Sequence, residues 1–179
     1  LACGLSPRGY RLKKAYPQLR YIEGDLPAMA ARKRKLLEDI GLSEGHEVYE
    51  CNILQPDGEQ SLGALMNKLD PTQPTLIITE GLVNYFDLPV IRSVWARMAQ
   101  GLKRFPQGYY ITDLYPDFAD HPSYRYVKMA QKLVGLFTRG QWPLHYSNDN
   151  AIRNGFGEDG FDQVDVLDPA SFYGQLNLP

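Results

Sequence analysis

Gly4, Asp25, Asn52 and Glu80 stand at the ends of four apolar runs, and their types and spacing could serve one ligand. Gly4 follows Leu1, Ala2 and Cys3 and opens a turn made from Ser6, Pro7 and Gly9. Glycine there lets the backbone come close to a ligand and take positive φ at little cost. Glu23 and Asp25 come about 20 residues after that turn, the distance of a ribose-binding carboxylate in a βαβ unit. Asn52, in Cys51-Asn52-Ile53, offers a side-chain oxygen that can accept from an adenine amino group. Glu80 closes the run Thr75–Thr79. Singly, each has an ordinary reading. A carboxylate after a strand is commonly a helix cap, and an asparagine there is commonly a turn residue. Together they describe a nucleoside site.

A dinucleotide would call for a fuller G-x-G-x-x-G to hold its pyrophosphate. The corresponding positions here are Ala2, Gly4 and Pro7. An adenosyl ligand without phosphates fits these residues better, which points to S-adenosylmethionine. No metal site is expected.

Such a site needs strands that deliver their carboxyl ends to one edge. The pattern supplies them. Leu1–Cys3 reads as the end of a first strand. Leu19–Gly24, His46–Leu54, Thr75–Thr79, Gly108–Leu114 and Phe161–Leu167 read as further strands, by alternation or by β-branched runs. Thr75–Thr79, nearly all apolar, reads as a central parallel strand buried on both faces. Between them lie helical segments. One leads away from Gly9 to about Pro17. Pro27–Ile40 follows, with Met29, Leu36, Leu37 and Ile40 as a buried stripe and Gly41 as its stop. A short helix carries Leu62, Leu65, Met66 and Leu69. Leu88–Leu102 turns Val90, Ile91, Val94, Trp95, Met98 and Leu102 to one side. Tyr124–Phe137 and a short piece around Asn148–Asn154 complete the set. Strands alternating with helices predict an α/β fold, a Rossmann-like and mainly parallel sheet flanked by helices.

With 179 residues, 44% hydrophobic and 22% charged, the chain suits one globular domain, read here as residues 1–179. A net charge of −2 gives no reason to expect nucleic acid or an anionic membrane as partner. No apolar run is long enough for a transmembrane helix. Two cysteines in strand-like segments suggest reduced thiols and a cytoplasmic location. The chain opens without Met inside an apolar run, which reads as a fragment of something longer, exposing apolar surface through which it could self-associate.

The sequence LACGLSPRGYRL resembles the first motif of the leucine carboxyl methyltransferase family, class I S-adenosylmethionine-dependent O-methyltransferases. That motif typically reads Gly-x-Gly-Leu-Asp-x-Arg-x-Tyr-Arg-Leu. EGDLPAMAARKRKLL resembles the second motif, CNIL stands where the family has Asp-Leu, and PTLIITEGLVNYF resembles a Pro-Thr-Leu…Glu-Gly…Tyr motif. The resemblance covers roughly Leu1 to Asp113. It implies the class I methyltransferase fold, here incomplete, without the helices that precede the first strand and without the last strand.

The resemblance also implies roles. Gly4 packs under the cofactor and Asp25 binds its ribose hydroxyls. Asn52 and Ile53 hold the adenine edge and face. Glu80 contacts the methionine end, while Arg8 orders the turn or meets a carboxylate. Ala2, Ser6 and Asn52 depart from the family's Gly, Asp and Asp. The methyl acceptor implied is a carboxylate or hydroxyl of a small molecule, or a protein C-terminus. Tyr85, Tyr115, Trp142 and His121 are candidates for lining its pocket, and His145, which like His121 follows the fifth strand, could reach it; His46, at a strand start, lies at the wrong end. No catalytic base is assigned. Two other readings stay open: another nucleoside-binding α/β enzyme such as an NAD-dependent dehydrogenase, and a non-catalytic binding fragment.

Overall fold

The structure is a computed structural model, and it describes residues 1–114, 143–172 and 174–175. The predicted helix Tyr124–Phe137, together with Tyr115, His121 and Trp142, lies outside them. Along the described chain, α1 (Arg8–Ala15), β1 (Ile22–Asp25), α2 (Pro27–Asp39), β2 (Glu47–Glu50), α3 (Leu62–Met66) and β3 (Thr75–Thr79) follow one another. A 3-10 turn (Val83–Tyr85), α4 (Leu88–Leu102), β4 (Gly108–Thr112) and α5 (Asp149–Glu158) come next, and a second 3-10 turn covers Pro169–Phe172.

The strands pair in parallel, as βαβ connections require. β1 lies beside β2 with Asp25 opposite Glu50, and β3 lies beside β4 with Thr79 opposite Thr112. Leu1–Cys3, expected as a strand end, is in no strand. It nevertheless bridges the two pairs. The Leu1 amino group donates to Ile78 O of β3 at 2.7 Å, and a Cβ placed on Gly24 of β1 would lie 3.3 Å from Leu1 Cδ2. The four strand ends therefore share one edge.

Local chemistry sets the helix limits. Pro27 at the first turn of α2 suits its fixed φ. Gly41, at φ +70, lets the chain leave the helix. The Gly41 and Leu42 amides then bond the Glu38 and Leu37 carbonyls, satisfying two of the last turn's acceptors. Ser61 Oγ caps α3 and Asn148 Oδ1 caps α5, each by accepting a backbone amide of the first turn.

The main core lies between α3, α4, α5 and the strands. Ile91, Val94, Trp95 and Met98 of α4 are wholly buried there, beside Leu62, Leu65 and Met66 of α3 and Phe156 of α5. Trp95 packs on Phe156 with ring centroids 4.3 Å apart and the planes tilted by 36°. Its indole Nε1 donates to Tyr110 Oη at 3.2 Å, Tyr110 shares a 2.8 Å hydrogen bond with Thr79 Oγ1, and Thr79 donates to Thr112 Oγ1 at 2.9 Å. This run of hydrogen bonds gives the Trp95, Tyr110 and Thr79 polar groups partners and locks α4 against β3 and β4.

Three expectations need correction. Leu36 and Ile40 are 41% and 55% exposed rather than buried. The inner face of α2 is Ala30, Lys33 and Leu37, because an acid on β1 draws the lysine inward. Val90 is exposed, and Ala99 completes the buried face of α4 instead. Phe161–Leu167 forms no strand. Phe161, Val164 and Val166 pack on the core, so their pattern reports one-sided burial and not backbone pairing.

Candidate functional site

At the shared edge, the turn after Leu1–Cys3 meets the end of β1. Gly4 takes φ +48, and a Cβ built on it would have nothing within 4 Å. Open space therefore lies over this glycine. Its amide donates to Asp25 Oδ2 at 2.7 Å, and the Leu26 amide donates to Asp25 Oδ1 at 2.7 Å. Both carboxylate oxygens are thus anchored to backbone. Each keeps a further lone pair, since a carboxylate can accept about four hydrogen bonds. Asp25 does not cap α2, whose N-cap Leu26 has no side-chain bond; it ties the Gly4 turn to the end of β1 and retains capacity for a ligand.

Ala2 also has positive φ, +46, where an L side chain is strained. The turn geometry favours glycine at this position, which gives the departure from the family's Gly a physical cost.

Asn52 follows β2, next to the Cys51 amide that bonds Asp25 O at 2.7 Å. Asn52 Oδ1 accepts from the Leu54 amide at 3.1 Å, so the side chain shapes the turn after β2. Ile53 is buried, and its carbonyl accepts from Arg97 of α4 at 2.7 Å. Glu80 follows β3 and forms an ion pair with Arg8, which the glycine turn delivers. Gly81, at φ +63, has open space over it as Gly4 does. Its amide donates to Asp113 Oδ1 at 2.8 Å, tying the ends of β3 and β4 together. Gly4, Arg8, Asp25, Asn52, Ile53 and Glu80 are all gathered within this edge.

The other candidates divide. Tyr85 is 75% exposed on the 3-10 turn after Glu80. Tyr115 and His121 lie outside the described residues. His145 is buried under the same 3-10 turn, with Nε2 3.3 Å from Val83 O. His46 precedes β2, away from this edge, and stacks on Tyr10. Burial raises both thiol pKa values, that of Cys51 to about 11, and both cysteines are free. Among the described residues there is no cluster of three His, Cys, Asp or Glu side chains fit to hold a metal, and no helix long and apolar enough to cross a membrane.

Sequence reasoning passed over Lys33. It is buried on α2, where Nζ donates to Glu23 Oε1 at 2.7 Å and to Ser6 O at 3.0 Å. A lysine within a run of basic residues gives no sign of an inward direction; only the helical offset from Ala30 and Leu37 would have shown it.

Several solved structures share this architecture. PigF with SAH superposes with a TM-score of 0.65 at 16% identity, over 93% of this chain and 45% of that one. A riboflavin-analogue dimethyltransferase, RosA from Streptomyces davawensis, gives 0.59 at 16% identity, over 92% and 43%. An O-methyltransferase family 2 protein from Planctomyces limnophilus, in complex with apigenin, gives 0.59 at 18%, over 92% and 43%. The chain spans less than half the length of these structures. At such identities the likeness shows the fold, that of class I methyltransferases. No curated protein sequence matches the chain. The sequence profile named leucine carboxyl methyltransferase matches residues 1–99, more than half of the 179. The chain therefore belongs to the leucine carboxyl methyltransferase family.

Proposed function

We propose that this chain is the cofactor-binding part of an S-adenosylmethionine-dependent O-methyltransferase, acting on a carboxylate or hydroxyl of a small molecule or a protein C-terminus. The observation that carries this reading is the pairing of Asp25 with the amide of an open, left-handed Gly4. A glycine with empty space over it, beside a fixed carboxylate, is a cradle for a ribose and its attached chain. The residues present therefore fit the cofactor.

Asp25 would accept from the ribose hydroxyls with the lone pairs its two backbone donors leave. Asn52 and Ile53 would meet the adenine edge and face. Glu80 would accept from the cofactor's ammonium group, and its ion-pair partner Arg8 would face the cofactor's carboxylate. When bound, the cofactor supplies a methyl group on an electron-poor sulfur. What remains for the protein is to orient an acceptor oxygen and keep water out, which is positioning work. A carboxylate acceptor needs no base, whereas a hydroxyl acceptor does. The family supports a carboxylate; the neighbour solved with apigenin supports a small-molecule acceptor. Tyr85, Tyr115 and His121 are proposed to line the acceptor side. The exposed Leu5 and Tyr85 support an apolar contact surface beside the site, through which the chain could self-associate. The two free thiols support a cytoplasmic location.

The test is a calorimetric titration of the chain with S-adenosylhomocysteine and, separately, with NAD. Binding of the first and not the second is expected. Binding of NAD alone would replace this reading with a dehydrogenase.

A further inference from the structure

Glu23 and Lys33 form an ion pair that is almost wholly buried, with 3% and 4% of their surfaces exposed. Lys33 Nζ lies 2.7 Å from Glu23 Oε1. Burying two charges is costly, and a buried pair seldom adds stability beyond what apolar residues of the same size would give. Stability is therefore a poor account of it, and its other contacts suggest a better one.

Lys33 spends a second donor on Ser6 O, at 3.0 Å. Ser6 sits in the turn between Gly4 and Arg8, and its own amide bonds Cys3 O at 3.1 Å. Glu23 faces the other end of the same segment. A Cβ built on Gly9, in the first turn of α1, would lie 3.1 Å from Glu23 Oε1 and 2.8 Å from the Tyr21 ring. The pair thus touches the turn on both sides of Arg8. Two long side chains, one from β1 and one from α2, close on one loop from its two ends.

We infer that the Glu23–Lys33 pair is a positioning device for the cofactor turn, holding the Ser6 carbonyl and the start of α1 so that the Gly4 amide and Arg8 meet the ligand in one arrangement. The inference rests on the cofactor reading above. Neither side chain needs to touch the ligand. Their effect passes through the backbone of residues 4–9, and small misplacements in a binding site weaken binding steeply.

The test separates positioning from folding. Lys33→Met leaves Glu23 buried and unpaired, so its melting temperature should fall sharply. Glu23→Gln combined with Lys33→Met removes both charges, and the melting temperature should return towards the parent's. The double variant should still bind S-adenosylhomocysteine on the order of tenfold more weakly. Its Gly4 and Ser6 amides should exchange hydrogen faster than the parent's, measured without ligand. A double variant that regains stability together with parent-like exchange and affinity would reduce the pair to a folding element and overturn the inference. If the double variant is unfolded in buffer, the same readings are made in an osmolyte that strengthens burial, beside the parent in that solution. A parent chain that binds no S-adenosylhomocysteine overturns the cofactor reading, and the exchange comparison then decides the positioning role by itself.

Discussion

The Gly4 amide donates a 2.7 Å hydrogen bond to Asp25 Oδ2, joining residues 21 positions apart in sequence. The turn after Leu1–Cys3 and the end of β1 are thereby held at one edge, and the carboxylate is fixed before any ligand arrives. A fixed acceptor loses less freedom on binding than a mobile one.

Asp25→Ala is expected to weaken S-adenosylhomocysteine binding by about 1.5–3 kcal/mol, the scale of hydrogen bonds to a charged group. Calorimetry on both proteins measures it. Asp25 also accepts the Gly4 and Leu26 amides, so the melting temperature must be recorded alongside. Affinity unchanged by the substitution would leave the carboxylate with its backbone-tying role alone.

Asn52 separates two roles by paired substitution. Asp keeps an oxygen for the Leu54 amide, so Asn52→Asp preserves the turn. A charged acceptor makes a hydrogen bond roughly twice as strong. Asn52→Asp should then tighten cofactor binding by about 1 kcal/mol, and Asn52→Ala should weaken it. If both variants bind as the parent does, Asn52 shapes the turn and does not meet adenine.

Ala2 holds a left-handed backbone at φ +46. Such a conformation costs a side-chain-bearing residue about 1–2 kcal/mol, which glycine does not suffer. Glycine also gains freedom in the unfolded chain, offsetting up to about 1 kcal/mol. Ala2→Gly should therefore leave stability equal or slightly higher. A drop of several degrees in melting temperature would show that the methyl group's packing outweighs the backbone strain.

Cys51 should resist alkylation in the native chain. Burial lifts its pKa to about 11, and only the thiolate attacks. At pH 8 about one molecule in a thousand carries that thiolate. The rate should climb as pH rises towards the folded pKa, and unfolding should speed labelling by orders of magnitude. Rapid labelling of native Cys51 at pH 8 would contradict the burial described for it.

The sequence by itself determined the order of the helices and of the four strands β1 to β4. α4 was legible to its ends because an apolar stripe at helical spacing, bounded by Pro89 and a polar break, has no other compact solution. Thr75–Thr79 was legible as a strand from its β-branched run, but not as a central one buried on both faces: Leu76 is 47% exposed, and β4 is its one ladder partner among the described residues. Asp25, Asn52 and Glu80 were legible at or just after strand ends, since parallel connections bring successive ends to one edge, while Gly4 follows a segment that joins no ladder among the described residues. Tertiary structure decided the rest, because those features depend on neighbours distant in sequence. Lys33 turns inward only because Glu23 waits on β1. Phe161–Leu167 alternates like a strand yet finds no ladder partner among the described residues, since side-chain pattern reports burial and not hydrogen bonding. Ala2 stood out by sequence as a departure from the family's Gly, and only the fold showed the positive φ that makes glycine easier there. Asn52 offered an oxygen to adenine and to its own turn alike, and only the folded backbone brought the Leu54 amide within its reach.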